Sequence, residues 1–210
     1  MITLYDCTTA PSPRCARILL AEKGVPHETV QVDLRTGEQF AAAYRAINPQ
    51  CTVPALRTEE GLLLTDNAAI AAYTEARFPQ PPLLGSTALD KADIASWNWR
   101  AEFEGLLAIA EALRNSVPAM ANRALPGPVD YPQIPELGLR GLARVQQFMV
   151  TLNERLEGRE FIAAGQFSVA DITAVVAVDF ARVVRIKPSE EHANLRRWRE
   201  AMVLRPAFSL

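Results

Sequence analysis

The stretch 48–56 (Asn-Pro-Gln-Cys-Thr-Val-Pro-Ala-Leu) most constrains the fold of this chain, because two prolines bracket a turn that leads into a short apolar run. Proline has no backbone N–H, so inside a sheet it is confined to an edge, a bulge or a first strand position. We therefore place Pro54 at the start of a strand. If the Val53–Pro54 bond is cis, the N–H and C=O of Val53 face outward and can pair with an extended peptide.

Strands and helices alternate in the first part of the chain. The pattern predicts a strand at 2–6, a helix from 13, a strand at 29–32, a helix at 40–47, a hairpin of 55–58 with 62–64, and a helix from 66 or 67 to 78. Ser12 followed by Pro13 predicts the first helix start, with serine as the N-cap and proline in the first turn. This order is typical of a compact thioredoxin-like α/β domain.

Beyond a proline-rich segment near residue 80, the sequence predicts helices alone. Apolar residues between Trp99 and Val117 recur every three or four positions, which predicts one face of a helix of about 30 residues. A loop rich in proline and glycine follows at 118–135, and it is long enough to be functional. Ser168 and Asp171 then have the spacing of a capping box at the start of an almost wholly apolar helix. We therefore expect a second, all-helical core.

Composition and charge exclude several classes of function. The net charge of −2 on 210 residues leaves no basic surplus for binding a nucleic acid backbone. No uncharged run approaches the ~20 residues of a membrane helix, and no secretory signal pattern opens the chain. The three cysteines, Cys7, Cys15 and Cys51, fit neither a metal site nor a disulfide framework. We expect a cytoplasmic protein that binds no nucleic acid, membrane or metal.

Several blocks of the sequence resemble the cytosolic glutathione transferase family. They are the stretch 48–56, the run 64–70 (Leu-Thr-Asp-Asn-Ala-Ala-Ile) about ten residues later, the capping box at 168–171, and the C-terminal runs 194–198 and 205–208. The blocks occur in the family's order and spacing, so the resemblance spans nearly the whole chain.

The resemblance implies a domain organisation and a ligand. A thioredoxin-like glutathione-binding domain would occupy 1–79, a linker 80–86, and an all-helical domain 87–210. The protein would form a homodimer and use glutathione as a co-substrate. The implied reaction is conjugation of the glutathione thiolate to a small hydrophobic electrophile.

The glutathione-binding residues follow from the same resemblance. Val53, beside a cis-Pro54, would pair with the cysteinyl backbone of glutathione, and Asp66 and Asn67 would hold its γ-glutamyl end. A helix N-terminus attracts a carboxylate, while Asp66 can receive the ammonium group. The alternative is that Asp66 or Asn67 only caps the helix.

The glycine end of glutathione would lie at the residues just before Val53. Cys51 and Thr52 lie in the segment that brings a basic group to the glycine carboxylate in some relatives. Cys51 is neutral, so this chain departs from that pattern.

The catalytic position departs from the family most. Family members place a Ser, Cys or Tyr in the loop after the first strand, and the equivalent position here is Ala10, which can donate nothing. The nearest substitutes are Thr9 and Ser12. Backbone N–H groups at the helix start, or water, are the remaining alternatives, because a helix N-terminus alone can lower a thiol pKa.

The second substrate is expected between the domains, against the long helix. Phe103, Leu106 and Leu107 are candidates for that wall, although aromatic residues at helical spacing often pack in a core or a subunit interface.

Two other functions remain open. Ala10 is compatible with a glutathione- or protein-binding module that has lost the chemistry. Thiol–disulfide exchange through Cys7 or Cys51 is the third hypothesis, and it is weaker because neither cysteine is predicted to begin a helix.

Overall fold

A computed structural model describes residues 1–209. Its N-terminal domain is built on a four-stranded sheet in the order β2–β1–β3–β4. The strands are β1 (Ile2–Asp6), β2 (His27–Gln31), β3 (Ala55–Arg57) and β4 (Leu63–Leu64). The strand β1 pairs parallel with β2 and antiparallel with β3, which pairs antiparallel with β4. The helices are α1 (Pro11–Glu22), α2 (Ala42–Ile47) and α3 (Asn67–Arg77). The predicted thioredoxin-like α/β domain is confirmed.

The C-terminal domain is helical, as predicted. Its helices are α4 (Ala88–Arg100), α5 (Leu107–Arg114), α6 (Pro135–Arg155), α7 (Val169–Phe180) and α8 (Ala193–Met202). A π-helical segment, Ala101–Leu106, joins α4 to α5, so the predicted long helix is continuous but locally widened. Within residues 1–209, no helix is both long enough and apolar enough to cross a bilayer.

The helix α7 lies at the centre of the second core, and its predicted capping box is confirmed. The carboxylate of Asp171 accepts hydrogen bonds from the N–H and the hydroxyl of Ser168 at 3.1 and 3.2 Å. It also accepts from the N–H of Ile162 at 3.0 Å and from Nε1 of Trp198 at 3.1 Å. Asp171 therefore joins the start of α7 to a preceding loop and to α8.

Ion pairs fix α1 against the helical domain. Arg14, in the first turn and a half of α1, lies 2.7 Å from the carboxylate of Asp179 on α7, and the same carboxylate is 2.7 Å from Arg199 on α8. Farther along α1, Glu22 pairs with Arg205 at 2.7 Å. The start of α1 is thus held at the junction of the two domains.

Candidate functional site

The backbone at Val53 has the features that the sequence predicts. The Val53–Pro54 peptide bond is cis, and β3 begins at the next residue. The carbonyl of Thr52 accepts hydrogen bonds from the hydroxyl of Tyr44 at 2.7 Å and from Nδ2 of Asn48 at 2.9 Å. Among the turn and loop hydrogen bonds of residues 1–209, none is made by the backbone of Val53. Tyr44 and Asn48 therefore fix the turn, while the N–H and C=O of Val53 stay available to hydrogen-bond a ligand.

Cys51 and Thr52 hold the turn and do not extend from it. The Cys51 side chain is buried, with its Sγ 3.5 Å from the carbonyl of Pro49, and its φ of 54° is in the left-handed region. Thr52 is tied to Asn48 through both its carbonyl and its hydroxyl. The Cys51 thiol therefore cannot reach a ligand that lies along Val53, and any contact from this residue would come from its backbone.

Asp66 and Asn67, at the start of α3, make different contacts. Asp66 is the N-cap, and its Oδ1 accepts the N–H of Ala69 at 2.8 Å while the side chain remains exposed. Asn67 donates from Nδ2 to both the carbonyl and the hydroxyl oxygen of Ser12, each at 3.1 Å. Its Oδ1 is buried and has no partner within residues 1–209. Asn67 therefore connects α3 to the start of α1.

The predicted start of α1 is wrong by two residues. The helix begins at Pro11, with Ala10 as an N-cap that offers no side-chain hydrogen bond. Proline suits the first turn wherever its N–H is not needed, so the residue pattern fits Pro11 as well as Pro13. The N–H of Ala10 is donated to the carbonyl of Cys7 at 3.0 Å. Since both prolines lack an N–H, Ser12 is the one residue of positions 11–13 that can donate a backbone N–H.

The two candidate catalytic residues differ in their surroundings. Thr9 is exposed, and its hydroxyl lies 3.5 Å from Sγ of Cys7. Ser12 is half-buried, and its hydroxyl oxygen accepts from Asn67, so its O–H proton is free to be donated. Ser12 can therefore present an O–H and an N–H together, whereas Thr9 presents an O–H from a loop.

A buried network fixes the loop between β1 and α1. Asp6 is completely buried, and its two carboxylate oxygens accept from Arg17 at 2.5 Å and from Nε2 of Gln31 at 2.8 Å. Arg17 also donates to the carbonyls of Cys7 and Thr8, and the N–H of Thr8 is donated to Gln31. Local sequence patterns do not identify this network, because Gln31 is 25 residues from Asp6.

A small cavity of about 20 Å³, lined by both polar and apolar side chains, lies between the two domains. Cys15 and Asn67 border it on one side, and Asn98, Glu102 and Thr173 on the other. Burial raises the pKa of the Glu102 carboxyl, and burial raises the pKa of the Cys15 thiol to about 12. The cavity is large enough for about one water molecule and too small for a second substrate.

The predicted substrate wall lies on another face of the long helix. Phe103 and Leu107 are exposed, and Phe103 stacks on the exposed ring of Trp99 at 5.3 Å between ring centres. Leu106 is partly buried against the main core. None of the three borders the cavity between the domains.

Comparison with known proteins identifies the family. Residues 11–77 match the family model for the glutathione S-transferase N-terminal domain, and residues 133–206 match that for the C-terminal domain. Glutathione S-transferase 2 of Saccharomyces cerevisiae is 33% identical over 207 residues, which cover 97% of this chain and 86% of that protein. The chain belongs to the glutathione S-transferase family.

Solved structures of glutathione S-transferases have the same fold. Gtt2 from Saccharomyces cerevisiae gives a TM-score of 0.88 at 32% identity, covering 99% of this chain and 98% of that one. A glutathione S-transferase domain-containing protein from Marinobacter aquaeolei gives 0.89 at 32% identity, covering 98% and 99%. Maleylacetoacetate isomerase of Pseudomonas aeruginosa is 44% identical over 91 residues, which cover 42% of this chain and 43% of that protein. Relatives of this chain are named as transferases and as an isomerase, so family membership does not by itself define the reaction.

Proposed function

We propose that this glutathione S-transferase binds glutathione along Val53 and adds its thiolate to a small hydrophobic electrophile. The observation that carries the proposal is the available backbone of Val53, next to a Thr52 carbonyl that already accepts hydrogen bonds from Tyr44 and Asn48. An extended peptide can pair with such an edge as an additional strand. The names of the relatives support glutathione as the ligand.

In this proposal the γ-glutamyl end of glutathione lies at the start of α3. The helix N-terminus attracts the α-carboxylate, and the exposed carboxylate of Asp66 receives the ammonium group. Asp66 can do this while capping the helix, because Ala69 occupies only its Oδ1. The side chain of Asn67 is held by Ser12 and its Oδ1 is buried, so Asn67 would contact the ligand through its backbone N–H, one of the free N–H groups at the start of α3.

The chemistry requires the thiolate of glutathione, since the thiol is a poor nucleophile. We propose that Ser12 stabilises the thiolate with its N–H and O–H, helped by the positive end of the α1 dipole. The exposed hydroxyl of Thr9 is the second candidate. The glutathione sulfur then forms a C–S bond to the electrophile. In a substitution the leaving group departs with the electrons of the bond that breaks; in an addition the electron pair of the attacked π bond takes up the charge and is then protonated. The reaction is accelerated because the two substrates are held close together and because the pKa of the glutathione thiol is lowered.

The activity is tested by conjugation of glutathione to an activated aryl halide across pH. The proposal predicts turnover that rises with pH through an apparent pKa below the ~8.5 of an ordinary thiol. Binding of glutathione without turnover of several electrophiles would instead favour the non-catalytic module that Ala10 permits. Absence of glutathione binding would contradict the transferase and a glutathione-binding module alike, and would leave only a protein-binding module.

Thiol–disulfide exchange is the weakest of the three hypotheses. All three cysteines are free and buried, and burial raises the pKa of Cys15 to about 12. A buried thiol with a raised pKa is a poor nucleophile at neutral pH. Cys7→Ser and Cys51→Ser variants with unchanged disulfide-reductase activity would remove this hypothesis.

Two variants of Asp66 separate ligand binding from helix capping. Asparagine caps a helix as well as aspartate does, so Asp66→Asn should leave the melting temperature nearly unchanged. Loss of the charge should weaken glutathione binding by about 10- to 100-fold, the range of a charge-assisted hydrogen bond. Asp66→Ala should lose affinity and also about 1 kcal/mol of stability. Calorimetric titration that finds wild-type affinity in Asp66→Asn would assign Asp66 to capping alone.

We propose that the stripe of Trp99, Phe103 and Leu107 forms the interface of a homodimer. Three large exposed apolar side chains on one helix face are an unusual surface for a monomer. Multi-angle light scattering should give twice the 23.1 kDa chain mass for the wild type and the chain mass for Phe103→Glu. Leu89→Glu, on the exposed start of α4 and outside the stripe, is the control and should stay dimeric. A dimeric Phe103→Glu variant would place the interface elsewhere.

A further inference from the structure

The segment 118–134, between α5 and α6, is anchored at the end of α5. The side chain of Gln133 donates to the carbonyls of Arg114 and Val117 at 2.7 and 2.8 Å. Within the segment, the N–H of Ala124 is donated to Tyr131 at 3.1 Å, and the N–H of Tyr131 to Asn122 at 3.0 Å. This part of the helical domain therefore has a defined shape.

The segment lies against the N-terminal domain beside the turn that precedes Val53. The guanidinium carbon of Arg123 is 5.1 Å from the ring centre of Phe40. A Cβ added to Gly127 would lie 3.7 Å from the carbonyl oxygen of Gln50, so the two backbones are in van der Waals proximity. The segment that carries Arg123 thus lies beside both Phe40 and the turn that leads into the proposed peptide-binding edge.

Two arginines meet there without a carboxylate between them. Arg114 donates from one guanidinium nitrogen to the carbonyl of Arg123 at 2.8 Å. Burial, and then the charge of Arg123, lower the pKa of Arg114. Within residues 1–209 neither arginine has an ion-pair partner, and Asp130, the one acidic residue of the segment, does not reach them. Partly buried guanidinium groups without a counterion are suited to an anion.

We propose that Arg123, supported by Arg114, binds the glycine carboxylate of glutathione and makes the enzyme selective for the full tripeptide. This inference rests on the proposed function. Glutathione has two carboxylates, and the proposed function directs the γ-glutamyl one to the start of α3. The glycine carboxylate remains, and the buried, neutral Cys51 cannot receive it. The helical domain would then supply a cation beside this turn, whose own residues 48–54 include none.

The experiment compares glutathione with γ-glutamylcysteine, which lacks the glycine, by isothermal titration calorimetry. The wild type should bind glutathione about 10- to 100-fold more tightly, the range of a charge-assisted contact. Arg123→Gln should weaken glutathione binding to the level of γ-glutamylcysteine and leave the affinity for γ-glutamylcysteine unchanged. Arg196→Gln, which removes an exposed arginine without an ion pair from α8, is the matched control and should keep the preference.

The outcomes separate this inference from the proposed function. Equal affinity of the wild type for both peptides, or a preserved preference in Arg123→Gln, overturns the role of Arg123 and leaves glutathione binding in place. Failure of the wild type to bind either peptide overturns the proposed function and the inference with it. Arg123→Lys, which keeps the charge without the planar fork, should retain part of the preference; affinities like those of Arg123→Gln would show that charge alone is not sufficient.

Discussion

Asp171→Ala is expected to lower the free energy of unfolding by about 3 to 5 kcal/mol at neutral pH, a loss that belongs to broken buried networks. The carboxylate is fully buried and accepts four hydrogen bonds, from Ile162, Trp198 and, twice, Ser168. Alanine would leave these donors buried without partners, and each such group costs about 1 to 3 kcal/mol. Denaturant unfolding monitored by circular dichroism measures the loss.

The chain contains its own control for this prediction. Thr87 and Asp90 form a second capping box at the start of α4, with hydrogen bonds of 3.1 Å in both directions. That box stands at the surface, so Asp90→Ala should cause a much smaller loss than Asp171→Ala. Equal losses would show that burial at α7 adds nothing to an ordinary cap.

Asp171 should also give the stability a distinctive pH dependence. Burial raises the pKa of its carboxyl from 3.8 to about 6, so between those values the native protein binds a proton that the unfolded chain does not. The contribution of this group to stability is therefore complete below about pH 4 and falls as the pH rises to about 6. The difference in stability between wild type and Asp171→Ala should accordingly grow as the pH is lowered from 6 to 4.

Gly141→Ala is expected to destabilise the helical domain by about 1 to 3 kcal/mol through overpacking. An added Cβ would lie 2.6 Å from the nitrogen of Ala112 and 2.8 Å from the carbonyl oxygen of Ala108. Both atoms belong to the backbone of α5, so no side chain can rotate away and α6 must shift. Thermal unfolding measures the effect.

Gly138→Ala, three residues earlier on the same helix, should have the opposite sign. The nearest atoms to its added Cβ belong to Asn115 and lie 3.6 Å away, which is an ordinary contact. Alanine is a better helix former than glycine by about 1 kcal/mol, so this variant should be as stable as the wild type or more stable. If Gly141→Ala matches Gly138→Ala in stability, the close approach of α5 and α6 is not a constraint.

The fold can be predicted from short-range signals in the sequence. The same signals do not fix where each helix begins. Proline positions and apolar spacing predict the strands, the helices and the change from mixed to all-helical structure. The start of α1 is missed because Pro11 and Pro13 satisfy the same rule, and only the contacts of Ala10 and Ser12 with the rest of the protein decide between them.

Some residues of the candidate site can be predicted from local motifs, and others are brought together only by contacts between distant parts of the chain. Val53 and Asp66 belong to continuous motifs, so the sequence alone proposes them. Arg17 and Gln31 act through Asp6, and Arg123 reaches Phe40 from the other domain. The spacing of residues along the chain does not predict these contacts, because the folding of the sheet and the packing of the two domains create them.

The most direct test of the central claim is a crystal structure of this protein with glutathione bound. It should show the cysteinyl N–H and C=O of glutathione hydrogen-bonded to the backbone C=O and N–H of Val53, with the sulfur within hydrogen-bond distance of Ser12 or Thr9. Glutathione bound elsewhere, or bound with the backbone of Val53 left unpaired, would contradict the claim.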